Sequence, residues 1–374
     1  MKYFYLIFLG MFGSASAQLT LKGRILGADS QQPLPFANVF LANTTKGTTT
    51  NEKGEFSISQ VSVGQVELVV SYVGYQTLSK IVRTDSTDFW ELSLKPNQSQ
   101  LTEVKVKAKR DKHWPQRYEQ FLQGFLGTSD NARQCYIVNS ETIWAEEDST
   151  KTWLTVGARE PLMIENKALG YRIKYQLEGF WYNHPSAYIT YVGYPVFEEM
   201  QPSSKAEADE WQRKRDIAYY GSVLHFMRSL DHLKAEGFTV QQMVNPKSSP
   251  FNALVLSQLK THKSRIERYR SDYVVLPDEL EGPELLITRL CTSTHKVMSF
   301  RGAIQVIYER EKEPMAYDRL GRPQTSVFEM MGQTITVEPN GQYFPSLNML
   351  ISGYLGWEKM ADSLPADYQP GKHQ

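Results

Sequence analysis

Arg215, Ser222, His225, Ser229 and His232 are the side chains whose types and spacing offer this chain the most chemistry. On one continuous helix they fall near one side, at separations of three, four and seven residues. His225 could then act as a base toward Ser222, or His225 and His232 could hold a metal ion. The spacing favours neither. Histidine pairs that bind metal on a helix prefer a separation of four, whereas these two lie two turns apart. No acid is evident to orient His225, and no G-x-S-x-G elbow presents a serine nucleophile. The competing reading makes all five residues polar groups that satisfy hydrogen bonds where strand loops cover the helix.

Other reactive groups are sparse. Cys135 and Cys291 are the two cysteines. They could pair in an oxidising compartment if their Cα atoms lie within about 7 Å, or serve as small buried apolar residues; no C-x-x-C redox motif is present. None of the seven histidines is followed three residues later by an acid, so the H-x-x-E pair of a zinc peptidase is missing. Glu146-Glu147-Asp148 reads as a loop cap leading to Lys151, because a calcium loop needs acids at alternate positions around a glycine. Asn166 and Gly170 serve a turn before Tyr171. Asp85-Ser86-Thr87, Asp148-Ser149-Thr150 and Asp362-Ser363-Leu364 resemble O-glycosylation triplets of exported bacterial proteins, with turns as the simpler reading. No phosphate-binding glycine loop occurs. Neither a catalytic residue, a metal nor a cofactor is expected.

The elements that would carry these groups begin behind an export signal. Lys2, the apolar run Tyr3 to Phe12 and Ala15-Ser16-Ala17 predict cleavage after Ala17, since the run is too short to span about 30 Å of hydrocarbon. No cysteine stands at the cleavage point to take a lipid. No second apolar run is long enough for a transmembrane helix, so the mature chain is expected to be soluble or peripheral, in the periplasm or at the outer membrane. Forty-one basic and 41 acidic residues balance over 374, and no basic cluster makes an electrostatic case for nucleic acid.

Seven short strands are expected in the mature amino-terminal region, over Leu21–Leu26, Pro35–Asn43, Thr48–Asn51, Glu55–Ser59, Val66–Val73, Thr77–Arg83 and Phe89–Leu94. Alternation is visible in Leu68, Val70 and Tyr72, and again in Trp90, Leu92 and Leu94. Asn51-Glu52-Lys53-Gly54 supplies a tight turn. Such closely spaced short strands predict a β-sandwich. Gly23-Arg24-Ile25, Pro33-Leu34-Pro35-Phe36-Ala37-Asn38-Val39, Gly47 to Phe56 and Ser71-Tyr72-Val73-Gly74-Tyr75 together resemble the carboxypeptidase regulatory-like domain, a transthyretin-like sandwich. The resemblance covers about eighty residues. It implies a module that also precedes the plug of many TonB-dependent receptors, and it brings no peptidase activity. Leu101 to Ala108 resembles the segment that follows this module in those receptors and engages the energy-transducing partner there; the plain alternative is an extended basic linker.

Residues 99–113 are read as that linker and residues 114–374 as an α+β domain with mostly antiparallel sheet and one long helix. Trp114 to Leu126 should form a first helix, with Tyr118, Phe121, Leu122 and Phe125 on one face and Gly127 ending it. Strands follow over Gln134–Asn139, Thr152–Ala158, Leu162–Glu165, Tyr171–Trp181 and Ala187–Phe197. Tyr171, Ile173, Tyr175 and Leu177 should face a core while Arg172, Lys174, Gln176 and Glu178 face water. The long helix is expected over Ser203 to Lys234, capped by Ser203 or Ser204 and covered on most of its circumference. Further strands are expected over Phe238–Val244, Arg265–Leu276, Glu284–Cys291, Ala303–Glu309 and Ser326–Val337, then a Pro339-Asn340-Gly341 turn and a tail helical up to Leu364. Charged strand faces and the polar helix start argue against a small membrane barrel.

The expected role is a non-enzymatic binding or scaffolding protein of a Gram-negative envelope, with an envelope protein or glycan as partner and the oligomeric state open. One alternative is an envelope hydrolase with its site near His225; another is an accessory component of TonB-dependent uptake.

Overall fold

The computed structural model describes residues 19–84, 89–97, 111–244, 268–269, 273–279, 287–290, 296–300 and 302–371. The expected signal, the segment Leu101 to Ala108 and Cys291 lie outside them.

Seven strands form the amino-terminal sandwich: β1 (Leu19–Gly27), β2 (Asn38–Leu41), β3 (Gly47–Thr49), β4 (Glu55–Val61), β5 (Gln65–Ser71), β6 (Leu78–Arg83) and β7 (Phe89–Leu94). They make two sheets, in the orders β4-β1-β7 and β3-β2-β5-β6, with β1 and β7 parallel. Alternation along β4 buries Phe56 and Ile58 and exposes Ser57 and Ser59. Those side chains join Ile25, Val39, Leu68 and Leu92 in a single core between the sheets. Gly23 has no alternative in β1, because a Cβ there would lie 2.2 Å from the Trp90 carbonyl oxygen. In the expected turn, the Asn51 side chain accepts from the Lys53 and Glu55 amides at 2.9 Å each, and Gly54 takes a φ of 71°.

A second layer follows helix α1 (Trp114–Phe125), which sits where the sequence predicts it. Its strands are β8 (Cys135–Ile137), β9 (Ile143–Glu147), β10 (Trp153–Ala158), β11 (Leu162–Asn166), β12 (Tyr171–Asn183) and β13 (Tyr188–Glu199). The long β12 pairs with β13 along one edge and with β11 and then β10 along the other, all antiparallel. Phe121 and Phe125 of α1 pack on Phe180 and Tyr175 edge to face, at 5.1 and 4.9 Å. Each fully buried ring contributes about 1.5–3 kcal/mol. Tyr171, Ile173, Tyr175 and Leu177 are buried as expected. On the opposite face Glu178 is exposed as expected, whereas Arg172, Lys174 and Gln176 are half-buried. The sandwich covers this face, with Lys174 Nζ donating to Asn38 at 2.8 Å and Ser71 Oγ 3.2 Å from Gln176 Oε1. Alternation identifies two faces but cannot say that a neighbouring module covers the polar one.

The helix expected over Ser203 to Lys234 is two helices, α2 (Lys205–Tyr219) and α3 (Val223–Arg228). Gly221 breaks them at a φ of 80°, and Ser222 starts α3 by accepting from the His225 amide. Ser204 caps α2 through the Glu207 amide. Ile217, expected in an apolar stripe, is 52% exposed, so α2 is covered on one side only.

Beyond α3 lie β14 (Phe238–Val244), β15 (Arg268–Tyr269), β16 (Tyr273–Glu279), β17 (Ile287–Leu290), β18 (Lys296–Met298), β19 (Ala303–Lys312), β20 (Pro323–Met330), β21 (Ile335–Val337), β22 (Tyr343–Phe344), β23 (Met349–Gly353) and the one-turn α4 (Tyr354–Trp357). They form two antiparallel sheets, β15-β16-β14-β19-β20-β23 and β17-β18-β21-β22. The single strand expected over Ser326–Val337 is thus β20 and β21, in different sheets. Met349 to Gly353, expected helical, pairs with β20. Phe226, Met227, Leu230, Phe238 and Phe328 centre a core distinct from that under α1.

Three contacts seat the sandwich. The loop after β2 extends the β13 edge: Asn43 N–H donates to the Pro195 carbonyl at 2.8 Å and Phe197 N–H to that of Thr44 at 2.9 Å. At the carboxy-terminal strap, Ala366 N–H donates to the Asn43 carbonyl at 2.6 Å and the Thr45 N–H donates to the Asp367 carboxylate at 3.0 Å. Gln342, after the Pro339-Asn340-Gly341 turn, donates to the Ala42 carbonyl at 2.9 Å.

Candidate functional site

The structure sets Arg215 apart from the others and keeps Ser222, His225, Ser229 and His232 in one local hydrogen-bonding group, with Glu236 between the two histidines. Arg215 is 7% exposed and ties α2 to the β11–β12 turn. Its guanidinium donates to the carbonyls of Leu169 (2.7 Å) and Gly170 (3.1 Å), reaches Glu199 at 3.2 Å and lies 4.0 Å from the Tyr171 ring centroid. Ser222 Oγ donates to the Tyr219 carbonyl at 2.6 Å while accepting from the His225 amide at 3.1 Å. Ser229 Oγ donates to the His225 carbonyl at 2.7 Å.

His225 is 2% exposed among Tyr219, Tyr220, Phe238 and Tyr308. The Gly221 N–H donates to Nδ1 at 3.0 Å. Nδ1 is therefore the acceptor, and the neutral ring carries its proton on Nε2, 3.3 Å from Glu236 Oε2. Burial pushes its pKa below the usual histidine value, against the opposing hydrogen bond and charge of Glu236. His232, exposed and past the end of α3, approaches the other oxygen of Glu236 at 3.7 Å. Among the described residues no group of three or more His, Cys, Asp or Glu could hold a metal ion. Cys135 is a buried free thiol, pushed up to about 12 by burial.

A second constellation lies in a cavity of about 380 Å³ where sandwich, helices and both sheet regions meet. Tyr191 of β13, Tyr343 of β22, Ser222, Glu358, Lys359 and Asp362 are among its lining residues. Burial and the nearby Asp362 carboxyl hold Glu358 well above the usual carboxylate range, against the hydrogen bond of Tyr354. Burial likewise raises Asp362, whose Oδ1 accepts from Ser129 (2.8 Å) and Asn131 (3.0 Å) and whose Oδ2 is buried without a hydrogen-bond partner. Asp362 ends the short 3-10 turn Met360–Asp362, in line with the turn reading of its triplet, and its carboxyl points inward. Lys359, lowered by burial, donates to the Gly356 carbonyl at 2.6 Å.

Sequence reading passed over this cavity. The available signal was Tyr354, Glu358 and Asp362 at four-residue intervals among Leu355, Trp357, Met360 and Ala361, which places acids inside an apolar segment.

Comparison with known proteins bears on the amino-terminal part. Residues 21–106 match the model of the CarboxypepD_reg-like domain, in agreement with the motif resemblance. A TonB-dependent receptor, P39 of Formosa agariphila, is 37% identical over 91 residues, covering 24% of this chain and 8% of the receptor. Two solved structures show distant similarity. A putative membrane-associated protein of unknown function from Bacteroides fragilis is 12% identical, with 89% of this chain and 94% of that one covered at a TM-score of 0.18. A 9R-lipoxygenase from Cyanothece is 9% identical, with 60% and 50% covered at a TM-score of 0.16.

Proposed function

We propose that this chain is a non-enzymatic binding or scaffolding protein of a Gram-negative envelope, residing in the periplasm or at the outer membrane. One observation carries the non-catalytic reading: the hydroxyl of Ser222 and both ring nitrogens of His225 are committed to partners that hold α3 in place. A serine nucleophile must give its proton to a base, whereas Ser222 gives its proton to a main-chain carbonyl. The envelope reading draws on the domain match and the receptor relative. Among the described residues no helix is long and apolar enough to cross a membrane.

The tests are fractionation of the native cells and exposure of the purified mature chain to a fluorophosphonate. Recovery with the envelope and absence of label on Ser222 are the expected results. Recovery in the cytosol, or stoichiometric labelling of Ser222, would overturn the proposal.

A second reading, an accessory role in TonB-dependent uptake, draws on the receptor relative. Capture of a TonB-like protein by a peptide spanning Leu101 to Ala108 would support it, and the absence of capture would remove it.

A further inference from the structure

We propose that the junction cavity is a binding site for a small organic ammonium ion, with Glu358 as counter-ion and the hydroxyls of Tyr191 and Tyr343 as hydrogen-bond acceptors.

The first observation is charge without compensation. Glu358 lines the cavity and forms no ion pair among the described residues. The one cation in the lining, Lys359, has its ammonium turned to the Gly356 carbonyl at 2.6 Å. The remaining charges near Glu358 are acidic: Asp362 below it in the chain and Glu311 of β19 both oppose its ionisation. A carboxyl in this position, with the Tyr354 hydrogen bond but no opposite charge, stays neutral or finds a cation, because desolvating a carboxylate without a counter-charge is unfavourable.

The second observation is a pair of idle hydroxyls. Tyr191 and Tyr343 face the cavity from different sheets, and neither hydroxyl has a hydrogen-bond partner among the described residues. Buried tyrosines normally place that group. Here the hydroxyls are available to accept from a ligand N–H, while the Tyr191 ring itself is held against Phe180 and Phe125. An anion would meet Glu358 and Asp362, and a purely apolar ligand would leave two hydroxyls without a partner and the Glu358 carboxyl with the Tyr354 hydrogen bond but no counter-charge.

This inference concerns a small ligand and stands apart from the macromolecular partner proposed above, so the two can fail separately. The test is calorimetric titration of the full mature chain with phenethylammonium, alongside 2-phenylethanol as a near-isostere without charge. Phenethylammonium should bind about tenfold or more tightly than the alcohol. Glu358→Gln should erase that ratio without lowering the thermal unfolding midpoint. Equal affinity for both probes, or binding of neither to the folded wild-type chain at millimolar concentration, would overturn the proposal. The wild-type comparison decides the matter even if the variant fails to fold.

Discussion

The Tyr368 hydroxyl donates to the Asp216 carboxylate at 2.5 Å, joining the carboxy-terminal strap to α2 across 152 residues of chain. Gln212 donates to the same hydroxyl at 2.8 Å, and the Gly371 amide donates to Asp216 at 2.9 Å. The strap continues to the sandwich through Ala366 and Asp367, so α2, strap and sandwich are one mechanical unit. Tyr368→Phe should cost about 1–3 kcal/mol, since Asp216 is 5% exposed and would lose a hydrogen-bond donor. Urea unfolding measures this, and limited proteolysis should show faster cleavage beyond Leu364. An unchanged midpoint would mean that the strap bears no load.

Arg228 is the second anchor of that strap. Its guanidinium donates to the carbonyls of Asn340 (3.0 Å), Tyr368 (2.9 Å) and Ala366 (2.8 Å), and lies over the Tyr219 ring at 5.4 Å. Arg228→Lys keeps the charge but cannot reproduce three diverging donors in a plane. A loss of about 2–3 kcal/mol is expected for Lys and a larger one for Ala. Equal stability of Arg and Lys proteins would show that charge alone matters there.

Glu358, Asp362, Glu311 and Glu313 are all raised, with burial the leading cause. In the folded chain they bind protons that the unfolded chain has released above about pH 4. Their contribution to stability therefore declines as pH rises from about 4 through their folded pKa values, by at most about 1.4 kcal/mol per pH unit for each group. Lys359, lowered by burial, acts in the opposite sense: the unfolded chain keeps its proton to higher pH than the folded chain does, so its penalty is relieved as pH rises through the folded pKa. Glu358→Gln should flatten the slope between pH 5 and pH 8, as read from urea midpoints. A slope unchanged by the substitution would place its origin elsewhere.

Ser222 separates a capping role from a catalytic one. Ser222→Ala should cost about 1 kcal/mol, and Ser222→Asp should restore most of it, because a carboxylate caps a helix as well as a hydroxyl does. Guanidinium unfolding of the three proteins is sufficient. Equal destabilisation by Ala and Asp would contradict the capping role.

Gly221 shows how far the sequence could be read. Polar and apolar residues keep helical spacing from Ser203 to Lys234, and an isolated glycine within such a pattern is tolerated at about 1 kcal/mol. The break becomes visible only in three dimensions, where a Cβ on Gly221 would lie 2.5 Å from Gln324 Oε1 and 2.7 Å from the Tyr308 ring. Gly221→Ala should accordingly cost about 2 kcal/mol or more in thermal unfolding. The sandwich was legible because its strands alternate and Asn51 to Gly54 carry turn chemistry. The helix around Phe121 was legible from its own period. The cavity was not, because Tyr191, Tyr343 and Glu358 come from segments far apart in sequence, and only packing brings them together.

Affinity capture after crosslinking in native cells, with the full mature chain as bait, tests the binding role most directly. A discrete envelope protein or glycan should be recovered with the wild-type chain, and recovery should persist in Ser222→Ala and His225→Gln proteins that remain folded. Contradiction would take the form of no specific partner together with hydrolytic turnover that disappears in those two variants.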